Sequence, residues 1–162
     1  MPATETRKMT KQRLFNVSMI FILMGCASFV PINGQNLEKH TWKNRILVFK
    51  TTNSASQIYQ QQVKEFENSE AELKDRKFIL YKVTEDDFES IDYTKDALTD
   101  SGSTSGTSLE KIFNAQEQFE VVLIGLDGGV KLRQTEVLSK EDLYGIVDAM
   151  PMRRSELNRK NK

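Results

Sequence analysis

Residues 45–62, "RILVFKTTNSASQIYQQQ", run from an apolar stretch through a Ser/Thr/Asn break into a helix-forming segment. A nucleophile placed at such a break would sit at a helix N-terminus, where the macrodipole favours negative charge and lowers the pKa of a thiol. The break offers only Thr51, Thr52, Asn53 and Ser54. An unassisted serine hydroxyl stays protonated at neutral pH, so Ser54 is read as a helix cap with Gln57 as its capping-box partner. The single cysteine of the chain, Cys26, lies well upstream, so no disulfide can form within one chain.

A second set of residues suited to chemistry is cationic: Lys131 and Arg133 in "VKLR", and Arg153 and Arg154 in "PMRR". Lys131 and Arg133 alternate and therefore share one face of a strand. Arg153 and Arg154 leave the last helix at its C-terminal end, where cations are favoured. One reading is helix-end complementation with surface pairs. The other is a recognition surface for an anionic group or an acidic partner, since arginine presents a planar donor fork to carboxylate or phosphate. The second reading requires the final helix to lie beside the hairpin strand.

Other motifs carry less. His40 is the only histidine, and the acidic run Glu85, Asp86, Asp87, Glu89 and Asp92 lacks the alternating ligands and central glycine of a calcium loop. It is read as a solvated acidic loop, and no metal or cofactor is expected. "SLEK" at Ser108 matches a short Ser-x-x-Lys pattern without its partner motifs. "GLDGG" turns a hairpin and does not open a helix, which excludes a phosphate loop. Trp42, just before a strand, is read as a packing residue; the alternative is an aromatic-cationic surface with Lys43, Asn44 and Arg45.

The elements that must position these groups follow from periodicity. "RILVFK" and "KFILYKV" read as strands buried on both faces. Between them lies a helix with a stripe of Tyr59, Val63, Phe66 and Leu73, so the two strands are expected to be parallel. Residues 84–108 are acidic and then Gly/Ser/Thr-rich, and are read as a long solvated excursion with a flexible second half. A short helix over "LEKIFNAQEQF" follows. "EVVLIG" and "VKLRQTE" form a hairpin around "DGG". Ser139 caps a last helix bearing Leu143, Ile146, Val147 and Met150, and Pro151 ends it. The expected fold is α/β, a mixed four-stranded sheet flanked by helices in the thioredoxin arrangement.

The N-terminus reads as an export signal over residues 1–34. Arg7, Lys8, Lys11 and Arg13 precede the apolar run "LFNVSMIFILM", which is short for a membrane span. Two processing routes fit. "LMGC" resembles a lipobox that would make Cys26 an acylated N-terminus; alternatively cleavage follows Gly34. Either route removes the one thiol from the folded domain, residues 35–156, which a basic polar tail (157–162) follows. The whole chain balances 23 basic against 23 acidic residues, so loss of the basic leader leaves a mildly acidic protein without a nucleic-acid footprint.

"WKNRILVF", "YQQQ", "LIGLDGGVKLR" and above all "DAMPMRR" together resemble domain-of-unknown-function family 4174. That family occurs in small exported bacterial proteins and as a module in animal sushi-repeat-containing proteins and coiled-coil-domain-containing protein 80. The resemblance implies a thioredoxin-like fold without established catalytic residues, and the insert at 101–108 departs from its pattern. No proline precedes "EVVLIG", where redox members of the thioredoxin class keep one beside their thiol. The expected function is an exported binding or structural module of the cell envelope, periplasmic or membrane-anchored, without catalysis. Its expected partner is an acidic protein or another anionic envelope component, with membrane contact only through the signal or a lipid anchor. The alternative is a non-thiol enzyme in which Lys131, Arg133 and Asp127 or Asp148 surround a small anionic substrate.

Overall fold

The computed structural model describes residues 37–160. The stretch read as an export signal, with Cys26, lies outside the described residues. Within them a six-stranded mixed sheet, in the order β4-β3-β2-β1-β5-β6, replaces the expected four-stranded one. β1 (Arg45–Thr51) and β2 (Phe78–Thr84) run parallel, as their buried character predicts, while β5 (Phe119–Ile124) is antiparallel to β1 and β6 (Val130–Gln134) antiparallel to β5. Gly128 turns the β5–β6 hairpin at φ 78°, a conformation that glycine adopts without steric cost.

The two extra strands come from the segment read as a solvated excursion. β3 (Asp87–Asp92) folds back on β2, and β4 (Leu98–Ser103) pairs with β3 as the sheet edge. All six β4 residues are exposed, so no apolar alternation marks the strand. The tight turn between β2 and β3 places Glu85 at φ 55°, which lacks the Asn-Gly or Asp-Gly chemistry that announces such a turn.

The helical crossover between β1 and β2 divides into α1 (Gln57–Glu65) and α2 (Glu70–Asp75), and α3 (Lys140–Ala149) follows β6. Ser139 caps α3 as expected, its hydroxyl accepting from the Asp142 N–H. The stretch after Leu109 forms only a short 3₁₀ turn (Glu110–Ile112). Pro151 ends α3 as expected, but the residues after it do not trail off. It forces Met150 into extended backbone (φ −65°, ψ 138°) and then opens α4 (Pro151–Lys160), so the polar tail is helical through Lys160.

Alternation along the central strands divides the core into two layers. Leu47, Phe49, Leu80, Val121 and Leu123 face α1 and α3 through Tyr59, Phe66, Leu143 and Val147. Ile46, Val48, Ile79, Tyr81, Val122 and Ile124 form the opposite layer with Phe88 and Leu109. β1 is buried at every residue, including Arg45 at one end and Lys50 near the other.

Arg45 points to the helical side, where its Nη1 donates to the Arg76 carbonyl (2.8 Å) and meets Glu156 of α4 at 3.3 Å. Burial pushes its guanidinium below the ordinary arginine value, and Glu156 opposes that shift. Arg153, 2 % exposed, joins the same cluster: it donates to the Asp75 carboxylate and backbone, to Asp148 at 3.2 Å, and lies 3.5 Å from Glu156. Arg76 holds Asp148 from the other side at 2.6 Å. Hydrogen bonds from Lys160 and Arg153 lower the Asp75 carboxyl to about 2.

Removing one partner from a buried ionic cluster strands the others. Arg153→Ala is therefore expected to cost about 3–5 kcal/mol in urea unfolding, and the exposed Arg154→Ala to stay within about 0.5 kcal/mol. Equal effects would contradict the cluster. Because Asp75 is depressed in the fold, its stabilising contribution is complete above the ordinary carboxylate range and is lost as pH falls through about 2. Thermal melts of Asp75→Asn should accordingly lose part of the acid-side decline seen in the unaltered protein.

Candidate functional site

The loop where a thiol site would sit is closed by its own hydrogen bonds. The Thr51 hydroxyl donates to the Asn53 carbonyl (3.0 Å) and accepts from the Asn53 N–H (3.1 Å), while the Ala55 N–H donates to the Asn53 side chain (2.9 Å). This turn carries the N-cap to Ser56, beyond the expected Ser54, and the Ser56 hydroxyl makes no capping bond. Gln57 is the first helical residue, so no capping box forms. The Ser54 carbonyl instead accepts from the Gln60 side chain at 2.6 Å. Nothing here activates a hydroxyl.

The four expected recognition cations are not brought together. Arg153 is buried in the cluster on the helical side, and Arg154 is exposed on α4. Arg133, opposite Val122 in the register, belongs to the other face of the sheet, where it pairs with the buried Glu120 at 2.6 Å and donates to the Ile112 carbonyl. Lys131 is tied to Asp127 across the hairpin turn at 2.6 Å, which holds the Asp127 carboxyl below its usual range. The separation arises because Pro151 starts a second helix whose Arg153 and Lys160 turn back to Asp75 of α2. The groups imagined around a small substrate are already committed to ion pairs: Lys131 with Asp127, Arg133 with Glu120, and Asp148 with Arg76 and Arg153.

A cleft of about 700 Å³ lies elsewhere, on the sheet face opposite the helices. Its floor is two cross-strand rows fixed by the register of β2, β3 and β4: Ile79, Asp92 and Leu98 in one, Tyr81, Ser90 and Asp100 in the other. One wall is the lead-in to β1, the 3₁₀ turn Leu37–His40 and the four residues after it. That wall is anchored by the Trp42 N–H donating to the Leu126 carbonyl at 2.6 Å and by the Arg45 N–H donating to the Lys77 carbonyl at 2.9 Å. His40 Nε2 lies 3.1 Å from the Tyr81 hydroxyl. Burial and the neighbouring Lys39 push the His40 imidazole below its ordinary value, so it is neutral at pH 7. Burial raises the Tyr81 phenol well above its usual pKa.

Trp42 corrects a sequence expectation. It is 67 % exposed at the cleft mouth and therefore does not serve as a packing residue. Its backbone is left-handed (φ 65°), a conformation that costs a bulky residue about 1–2 kcal/mol. Lysines 39, 43, 77 and 95 surround the cleft; Lys77 pairs with Glu156 and Lys95 with Asp92, while Lys43 makes no ion pair among the described residues. The sequence hid this site because its floor is built partly from β3 and β4. The alternation of Phe88, Ser90 and Asp92 was its one legible trace.

Among the described residues, no three His, Cys, Asp or Glu side chains converge to hold a metal ion, and no helix is long and apolar enough to cross a membrane. A family model described as a domain of unknown function, DUF4174, matches residues 36–156. No curated protein and no solved structure matches the chain.

The strain at Trp42 is directly measurable. Trp42→Gly should stabilise the fold by up to about 1 kcal/mol in chemical unfolding, whereas Trp42→Ala, which keeps a Cβ at positive φ, should show no such gain. A loss of more than about 1 kcal/mol in Trp42→Gly would mean that the indole packs the fold after all.

Proposed function

The chain belongs to the DUF4174 family, and from that premise we propose that it is an exported, non-catalytic binding module of the cell envelope on a thioredoxin-like scaffold. The inner strands β2-β1-β5-β6, with β1 and β2 parallel and the β5–β6 hairpin followed by α3, support the scaffold reading. A β3–β4 hairpin occupies the connection between β2 and β5. A fold by itself does not fix function.

The observation that carries the reading is a displacement of the recess from the place of thiol chemistry. The loop before α1 holds hydroxyls and amides committed to local hydrogen bonds, and the cleft with its aromatic and cationic lining opens on the other face of the sheet. The cleft lysines take over the role first assigned to Arg153 and Arg154, recognition of an anionic component. Four lysines against Asp92 and Asp100 leave the lining net positive.

Two measurements check this. The purified protein should neither reduce insulin disulfides nor consume peroxide, and turnover above a heat-killed control would contradict the non-redox reading. Mass spectrometry of the protein from its host should find an acylated Cys26 or a chain beginning near Gln35. An unprocessed Met1 start in the cytosol would end the export proposal.

A further inference from the structure

Trp42 is exposed, strained and backbone-anchored at the mouth of a cleft whose floor mixes apolar and carboxylate side chains. Building on the binding-module reading above, we infer that this cleft is a saccharide site, which stacks a sugar ring on Trp42 and receives a sugar carboxylate at Lys43.

The class of ligand follows by testing each chemistry against the lining. A wholly apolar ligand would cover Lys43, which makes no ion pair among the described residues, and a buried charge left unpaired is costly. A compact inorganic anion would use the lysines but would meet both carboxylates and leave the indole face idle. A pyranose ring has a C–H face that packs on an aromatic plane, and hydroxyls that donate and accept at once. Those hydroxyls can donate to Asp92 and Asp100 while accepting from Asn44 and the lysines. The neutral His40–Tyr81 pair adds polar contacts without adding charge.

Lys43 supplies the discrimination. It adjoins Trp42 and is exposed, whereas Lys77 and Lys95 already have carboxylate partners. A sugar acid gives Lys43 the counter-charge that the described fold does not. The 700 Å³ recess lies within the range of sites for organic ligands, roughly 300–1,000 Å³, and leaves room for a short oligosaccharide. A ring stacked on Trp42 also gives the strained backbone a role, since the left-handed conformation keeps the indole at the mouth and out of the core.

The chain has one tryptophan, so its fluorescence reports on this cleft alone. The purified protein is titrated with matched pairs of oligosaccharides, each a uronate oligomer and its neutral counterpart, at low and high salt. Saturable changes in Trp42 emission are expected, with at least one uronate oligomer bound five-fold or more tightly than its neutral partner, a preference that shrinks as salt rises. Lys43→Gln should abolish the preference, and Trp42→Ala should abolish binding in calorimetry with the circular dichroism and melting temperature retained. No saturable response to any pair, equal affinity within every pair, or undiminished binding by Trp42→Ala would overturn the site. Chromatography of the recovered oligomer separates the two readings: cleavage would contradict the non-catalytic module and leave the saccharide site standing, whereas failure to bind would remove the site and leave the module reading intact.

Discussion

The structure depends on a central strand that buries a cation near each end. Arg45 and Lys50 lie in β1, whose residues are all buried, and they point to opposite faces of the sheet because they are five residues apart. A buried charge persists only with partners, so each cation dictates what must cover its face. Arg45 requires Glu156, which binds the C-terminal helix to the start of the sheet. Lys50 donates to the Asn114 and Glu117 carbonyls and lies 3.8 Å from Glu120, which draws the loop before β5 across the other face. Glu120 in turn accepts from the Asn114 N–H and from Arg133.

These two anchors leave the faces unequally covered. The helical side is closed by α1 to α4, whereas on the opposite side the cover formed by Leu37, Leu109, Ile112 and Phe113 packs over the inner strands. Beyond it the sheet continues to β4, whose residues are all exposed, and the cleft lies between that edge and the lead-in to β1. The cleft is thus a consequence of widening the sheet by a hairpin where no helix follows. The strained Trp42 stands at its boundary, at the point where the lead-in chain must turn into β1.

The inner architecture was legible in the sequence because it rests on near-continuous apolar runs, "RILVFK", "KFILYKV" and "EVVLIG", and on glycine turn chemistry at residues 127–129. The outer strands were not. β4 has no buried residue, and the turn into β3 puts a glutamate at positive φ, so neither periodicity nor turn composition marked them. The role of Pro151 was legible only in part, since a proline that ends one helix is equally suited to open the next. Arg153 shows a limit of residue type: an arginine between Met152 and Arg154 gives no local sign of whether its partners are a ligand or Asp75, Asp148 and Glu156, which come from other parts of the chain and from its own helix. Trp42 shows the converse, an aromatic whose flanks suggested packing and whose backbone conformation places it in solvent.

Hydrogen exchange in Arg45→Met and Lys50→Met, measured residue by residue, tests most directly whether the two buried cations each organise one face. Arg45→Met is expected to lose protection in Pro151–Lys160 while the loop at residues 112–118 keeps it, and Lys50→Met is expected to show the reverse. Uniform loss across the sheet in both variants, or unchanged protection in both segments, would contradict the account.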